Sequence, residues 1–271
     1  MLSIEQAIAS VSFMIVMIIL AYKARIIDRY GAIAALPVGF IILYFGSILW
    51  FFVLLIFFIT GSLFTKYKYG QKQNMELAEH NGGARSWKSV VANGAPAAAF
   101  AILYYLSHNN LTFTLSFTGS ISFALSDTVA TEIGLLSKSK PRSILTGKEI
   151  DTGQSGGITI QGEIAALTGS LLIGTMCGLF LSEGTFSQIR VILPAAITGG
   201  MIATNIDSIL GATIQAKYKC LNCRKRLEKM TIHCNLPAVQ ERGTSMVDNN
   251  VVNLLAALIG GVISASFIII H

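Results

Sequence analysis

Three carboxylates stand where an apolar chain is costly to charge. Asp127 and Glu132 fall in one long hydrophobic run, and Asp207 falls in another. A carboxylate inside a bilayer span costs at least about 2.5 kcal/mol, so each is a functional candidate by default. Asp127 and Glu132 are separated by about 140° around a helix, whereas Thr128 and Glu132, one turn apart, share a face. Oxygen donors at a membrane surface suit Mg2+, which takes one or two carboxylates, keeps waters and completes its shell with substrate phosphates. Asp127, Glu132 and Asp207 are therefore the expected Mg2+ ligands, with Asn205 and Asp248 nearby. The plainer reading is that each acid pairs with a lysine or bonds a neighbouring helix.

The second feature is a Gly-, Ser- and Thr-rich loop, Gly147 to Gly162, that leads into an apolar run. Such loops let backbone N–H groups approach phosphate, and a helix N-terminus favours the anion. The residues expected at the phosphates are Gly153, Ser155, Gly156, Gly157 and Thr159. The loop does not match GxxxxGK[ST], so it is not a P-loop. Lys148 within it, with Arg85 and Lys88, could neutralise transferred phosphate, as phosphoryl transfer requires; Lys138, Lys140 and Arg142 read as ordinary surface charge. Asp248-Asn249-Asn250 with Asn253 opens the last apolar run. An Asp there can cap a helix, but the further polar residues exceed that need and favour nucleotide or metal contact. Cys220, Cys223, His233 and Cys234 share one polar segment, 217–249. Their spacing makes them a candidate structural Zn2+ clip; the adjacent His-Cys pair is the less usual half.

The elements that must position these groups are membrane helices. The chain of 271 residues is 53% hydrophobic and only 13% charged, against about 25% charged in soluble domains, and its mean hydropathy is +0.63. Apolar runs near 3–21, 31–47, 48–65, 89–107, 114–136, 162–182, 188–216 and 250–270 predict an all-α polytopic bundle of about eight spans in a single membrane domain. The run from Gly31 to Thr65 is too long for one helix, and a turn near Gly46 and Ser47 is expected to split it. The first run lacks a basic leader and a small-residue cleavage site, so it reads as a retained helix. Every Lys and Arg except Arg190 lies in segments 22–30, 66–88, 137–160 and 217–249. With eight spans all four fall on one side, which the positive-inside rule makes cytoplasmic. Both termini then face out, the site faces the cytoplasm, and the plasma membrane is the expected location. That placement also accounts for the net charge of +6 without nucleic acid. The first three helices read as lipid-facing scaffold or homodimer contact. Cys177 reads as inert packing.

The ordered set Asn81-Gly82-Gly83, Asn93-Gly94, Ser126-Asp127-Thr128-x3-Glu132-x-Gly134, the Gly153-to-Gly162 loop, Asn205-x-Asp207-Ser208-x2-Gly211-Ala212 and Asp248-Asn249-Asn250-x2-Asn253 resembles an integral membrane family that includes plant phytyl-phosphate kinase. That family is distantly similar to CTP-using phytol and dolichol kinases and to membrane CTP:phospholipid cytidylyltransferases. The resemblance covers roughly residues 30–270. It implies a nucleoside triphosphate, CTP foremost, and a prenyl lipid substrate: a membrane kinase that turns a prenyl monophosphate into the diphosphate with Mg2+. In that reading Asp127 and Asp207 bind Mg2+ with Glu132 assisting, Lys148 and the glycine loop hold the triphosphate, and Arg85 and Lys88 meet acceptor or transferred phosphate.

Two neighbouring activities would use the same parts: a CTP-dependent prenol kinase, and a cytidylyltransferase that releases pyrophosphate and makes a CDP-lipid. An ion-coupled transporter is the rival from another class. The absence of polar residues continuing through the outer half of the spans is expected to argue against it.

Overall fold

The structure is a computed structural model of the chain and describes residues 4–182, 186–223, 226–227 and 232–269. Its long helices are α1 (Ile4–Lys23), α2 (Arg29–Ile41), α3 (Ile48–Lys66), α6 (Trp87–Leu106), α7 (Leu111–Gly134), α8 (Ile160–Leu181), α9 (Phe186–Thr213) and α10 (Asn249–Ala265), with short α4 (Tyr69–Asn74) and α5 (His80–Gly83) between α3 and α6. Helix starts fall where side-chain oxygens can take up orphan N–H groups: Asp28 accepts from Gly31, Ser86 from Ser89, Asn110 from Thr112, and Thr159 from Gly162. α2 continues as a π-helical turn, Ile42–Gly46, and the chain breaks at Ser47, which caps α3. The split expected in the 31–65 run thus falls at the expected place.

Among the described residues, seven helices are long and apolar enough to cross a membrane: α1, α2 with its π turn, α3, α6, α8, α9 and α10. α7 is not one of them, although its 24 residues reach about 36 Å, more than a bilayer core of about 30 Å. The reason is its surroundings. α7 packs against α3, α6, α8, α9 and α10 together, so its faces meet protein, and it can carry hydroxyls where a lipid-facing helix could not. Thr114, Ser116, Thr118, Ser120, Ser122 and Ser126 on it are all buried. This corrects the expectation that polar residues stop in the outer half. Four of the hydroxyls bond backbone or another hydroxyl: Ser116 to the Thr112 carbonyl (3.0 Å), Thr118 to that of Thr114 (2.8 Å), Ser122 to that of Ala196 (2.7 Å), and Ser126 with Ser170 (2.7 Å). The Ser122 and Ser126 bonds tie α7 to α9 and α8, whereas those of Ser116 and Thr118 stay within α7.

Where α7, α9 and α10 meet, glycines let the backbones touch. A Cβ on Gly119 or on Gly199 would overlap Ser264 Oγ, and one on Gly200 would overlap Ser122 Oγ and Ser170 Oγ. Small residues at such crossings are how membrane helices gain packing energy without a hydrophobic drive.

The four basic segments are tied together at one end of the bundle. Arg85 N–H donates to the Ile26 carbonyl (2.9 Å), and the Arg85 carbonyl accepts from Asp28 N–H (3.1 Å). Lys66 Nζ donates to the Ala24 carbonyl (2.6 Å). The glycine loop is closed by β1 (Arg142–Ser143) pairing antiparallel with β2 (Gly157–Ile158). The 217–249 segment folds as β3 (Lys217–Lys219) between β4 (Arg226–Leu227) and β7 (Val239–Arg242), with a hairpin of β5 (Ile232–His233) and β6 (Leu236–Pro237). Lys217 Nζ donates to Ser155 Oγ and so joins this sheet to the glycine loop.

Candidate functional site

At that loop-rich end the helices α6, α7, α8, α9 and α10 open into a cleft of about 950 Å³. It brings together Arg85, Asp127, Glu132, Gly153, Ser155, Gly156, Gly157, Thr159, Asp207, Asn249, Asn250 and Asn253, each singled out from the sequence. Lys88, Lys148, Asn205 and Asp248 do not line it.

Arg85 is the most constrained cation of the site. Its backbone is held on both sides by the α1–α2 connection. Its side chain is buried beside Gly61, where a Cβ would lie 2.7 Å from Nη2. The guanidinium stands 5.2 Å from the Phe57 ring centre and 5.6 Å from that of Phe58, cation–π contacts suited to a desolvated arginine. Nη2 donates to Thr128 Oγ1 (3.3 Å), while Nε is buried with no hydrogen-bond partner among the described residues. Burial draws the guanidinium below its ordinary value, and the carboxylates of Glu79, Glu132 and Asp127 oppose that. The result is a preset charge at the cleft wall with donor capacity to spare, as oxyanion stabilisation needs.

The three acids do not form a cage. Among the described residues they are not within 4.8 Å of one another as a group, unlike the cysteines described below. Glu132 is already engaged: Lys72 Nζ donates to it at 2.5 Å and also to the Phe64 (3.1 Å) and Thr65 (2.7 Å) carbonyls, so the ammonium's three donors are all used. For Glu132 the lysine-pairing reading is thus the geometry observed. Asn253, in the amide orientation that satisfies both of its ends, donates to Asp207 Oδ1 (3.2 Å) and to the Asn249 carbonyl (2.7 Å). Asp127 and Asp207 both line the cleft from packed helices; oxygen donors of this kind are what an ion that takes one or two carboxylates and fills its shell with water and phosphate would use.

The glycine loop meets the cleft through backbone conformations that side chains resist. Gly153 (φ +84°) packs on Leu77 and Gly156 (φ +81°) on Ala212, leaving no room for a Cβ at either. Thr159 caps α8, so the helix start faces the cleft beside Glu163.

Asn205 stands behind the wall and donates to the Glu163 carboxylate (3.3 Å) and the Met201 carbonyl (3.0 Å). Lys148 is exposed. Asp248 is the cap of α10, accepting from Asn250 N–H (3.0 Å) and Val251 N–H (3.1 Å), and it pairs with Lys88 at 3.4 Å. Partial burial works against its ionised form. That is outweighed by the bonds from Val251 and Asn250 and by the Lys88 ammonium, which hold the carboxyl below the ordinary aspartate value. Asp248→Ala is expected to cost about 1 kcal/mol, typical of a lost N-cap, read as a lower melting temperature in detergent. The sign in acid follows from the depressed value. The contribution is complete above the unfolded aspartate value of about 3.9 and is lost as pH falls through the depressed one, so Asp248→Asn should be less acid-sensitive than the parent.

Other cations do face the cleft. Lys217, Lys219 and Arg242, from β3 and β7, line it, as do Glu79 and Glu163. The signal for the lysines was the alternation Lys217-Tyr218-Lys219, which puts both on one face of a strand.

Beside the cleft lies an apolar groove of about 380 Å³ between α3, α7 and α8, with Phe64, Val129, Ile133, Ile164 and Leu172 in its walls. Phe64 and Ile133 adjoin Thr65 and Glu132 of the cleft in sequence.

In the 217–249 segment Cys220, Cys223 and Cys234 hold their thiols within 4.8 Å of one another. The side chain of His233, the fourth expected ligand, lies outside the described residues, as does that of Asn81.

Comparison with known proteins fits this architecture. The model of the family described as integral membrane protein DUF92 matches residues 12–261. The chain belongs to that family. It is the family that the ordered motifs resemble. An uncharacterized membrane protein of Methanocaldococcus jannaschii is 32% identical over 254 residues, covering 94% of this chain and 91% of its own. Protein PGR of Arabidopsis thaliana is 30% identical over 263 residues, 88% of each chain. The chloroplastic protein VTE6 of the same plant is 29% identical over 178 residues, 64% of this chain and 52% of its own length. No solved structure matches this DUF92 chain.

Proposed function

We propose that this DUF92 protein is a membrane kinase that transfers the terminal phosphoryl group of CTP, or another nucleoside triphosphate, to a prenyl monophosphate. The observation that carries the reading is Arg85: a buried cation, its Nε without a hydrogen-bond partner among the described residues, on the wall of a cleft that also holds Asp127, Asp207 and a glycine loop at a helix start. Phosphoryl transfer needs such positioning and charge stabilisation more than covalent chemistry. The motif resemblance supplies the substrate class.

In this mechanism the triphosphate lies along the glycine loop and the start of α8, whose backbone N–H groups face the cleft. Lys217 and Lys219 meet the non-transferred phosphates, in place of the exposed Lys148. The acceptor's chain lies in the groove between α3, α7 and α8, which brings its phosphate toward Glu132 and Arg85. An acceptor phosphate oxygen attacks the terminal phosphorus, the bond to the bridging oxygen breaks, and the nucleoside diphosphate leaves with that oxygen. The acceptor is anionic at neutral pH and needs no general base. Arg85 stabilises charge on the transferring group. Asp127 and Asp207 would hold Mg2+, which when bound neutralises the phosphates. With α7 counted as an eighth span, the positive-inside argument places the cleft at the cytoplasm and both termini outside.

The test is incubation of purified protein in detergent with Mg2+, geranylgeranyl or phytyl monophosphate, and each of CTP, ATP, GTP and UTP, with products weighed by mass spectrometry. A prenyl diphosphate with the matching nucleoside diphosphate is the expected result. A CDP-lipid with pyrophosphate would replace the kinase by a cytidylyltransferase. No turnover would overturn the reading and make nucleotide-independent flux in proteoliposomes the next measurement. Gly156→Ala tests the loop. The substitution strains a left-handed residue and drives a Cβ to 2.5 Å from Ala212 Cβ and 3.0 Å from the Ser208 carbonyl. Nucleotide affinity, read by calorimetry, is expected to fall by about 5- to 150-fold, the equivalent of about 1–3 kcal/mol of backbone strain.

A further inference from the structure

We infer that Cys220, Cys223 and Cys234 form a binding site for a thiophilic divalent cation, Zn2+ foremost, that fixes the strand sheet of the 217–249 segment over the cleft. Two observations carry this. The first is convergence. The three thiols come from two stretches separated in sequence, yet lie within 4.8 Å of one another. Zn–S bonds of about 2.3 Å in a tetrahedron place sulfurs about 3.8 Å apart, within that limit. None of the three is in a disulfide, and Cys220 is fully buried whereas Cys223 and Cys234 are exposed.

The second observation is the backbone that presents Cys234. The hairpin of β5 and β6 pairs His233 with Leu236, so its turn consists of Cys234 and Asn235. Both are left-handed, at φ 51° and 62°. Two positive φ values make the type I′ turn, which suits Asn and Gly. A cysteine there accepts strain that packing does not repay, since its side chain is exposed. The strain has a purpose if this turn is what aims Cys234 Sγ at the other two.

The chemistry balances without an oxidant. Each coordinating thiol gives its proton to solvent, and its sulfur lone pair forms the bond to the metal. Three thiolates leave one tetrahedral position for a nitrogen or oxygen donor. The site lies outside the cleft, but Cys220 directly follows β3, which brings Lys217 and Lys219 to the cleft wall. Its role is to hold that strand, and its existence does not depend on the phosphoryl-transfer reading.

The test is elemental analysis of full-length protein purified in detergent under reducing, chelator-free conditions from zinc-supplemented cells. One equivalent of zinc per chain is expected. Replacement by Co2+ should give thiolate charge-transfer and tetrahedral ligand-field absorption. Cys223→Ser and Cys234→Ser, both at exposed positions, should each lose the metal, and Cys177→Ser, inside α8, should keep it. Tryptic cleavage within residues 217–249 should be faster in the two metal-free variants. Metal-free parent protein that takes up neither Zn2+ nor Co2+ would overturn the proposal. So would full metal content in both Cys223→Ser and Cys234→Ser.

Discussion

Asp127→Asn is expected to lower kcat by about 10³-fold or more, while the protein still purifies folded in detergent. The side chains have nearly the same shape, so the change removes charge and little else. Among the described residues no hydrogen bond fixes the Asp127 carboxylate, and its electrostatic partner is Arg85, which keeps Glu79 and Glu132 for company after the substitution. The structural cost is therefore small. In the proposed mechanism the functional cost is large, because losing one preset electrostatic group is worth about 10²–10³ in rate, and an anchor for Mg2+ would go with it. The measurement is single-turnover formation of the prenyl diphosphate beside a melting curve. Retained activity with an unchanged melting temperature would remove Asp127 from the mechanism.

Lys72→Met should be the most damaging substitution for stability. It removes an ammonium that is 1% exposed from a carboxylate that is 12% exposed. It also releases the Phe64 and Thr65 carbonyls at the end of α3. Breaking a buried ion pair from one side costs about 3–5 kcal/mol, because the remaining charge stays buried and unpaired. The double variant Lys72→Met, Glu132→Gln should recover a large part of that loss, since neither charge is then stranded. If Lys72→Met melts like the parent, this lysine is not holding α3, α4 and α7 together. If instead the double variant is no better than the single one, the loss comes from the α3 carbonyls and not from Glu132.

What could be read from the residues, and what could not, divides along physical lines. Spans were legible because exclusion from water leaves a compositional mark every 20 or so residues. The break at Ser47 was legible from length alone. Asp127, Asp207 and the glycine loop were legible because a charge in an apolar run and a clustering of glycines are both costly and so stand out. The role of Lys72 was not, since nothing in its local sequence distinguishes a buried ammonium from ordinary loop charge; its partner lies 60 positions away. For the same reason Lys148 seemed better placed than Lys217. Proximity along the chain suggested the first, and only the pairing of β3 with β7 brings the second to the cleft. Asp248 shows the reverse case. Its cap, local in sequence, could be read from the residues, whereas its ion pair with Lys88, 160 positions away, could not, and it is the asparagines after it that face the cleft.

The glycine crossings of α7, α9 and α10 have a mechanical consequence. Helices separated by long side chains can slide by letting those chains change rotamer, but backbones in direct contact have no such slack. Around Gly119, Gly199 and Gly260 the three helices form a stiff keel. Asp127 and Asp207 are mounted on two of its ribs, so the span between them would stay nearly constant through the proposed catalytic cycle. In the proposed reaction, whatever opens for a nucleotide and shuts around it would be drawn from the pieces hung on the keel, the 75–79 loop foremost. Compliance and precision are in this way assigned to different parts of one short chain.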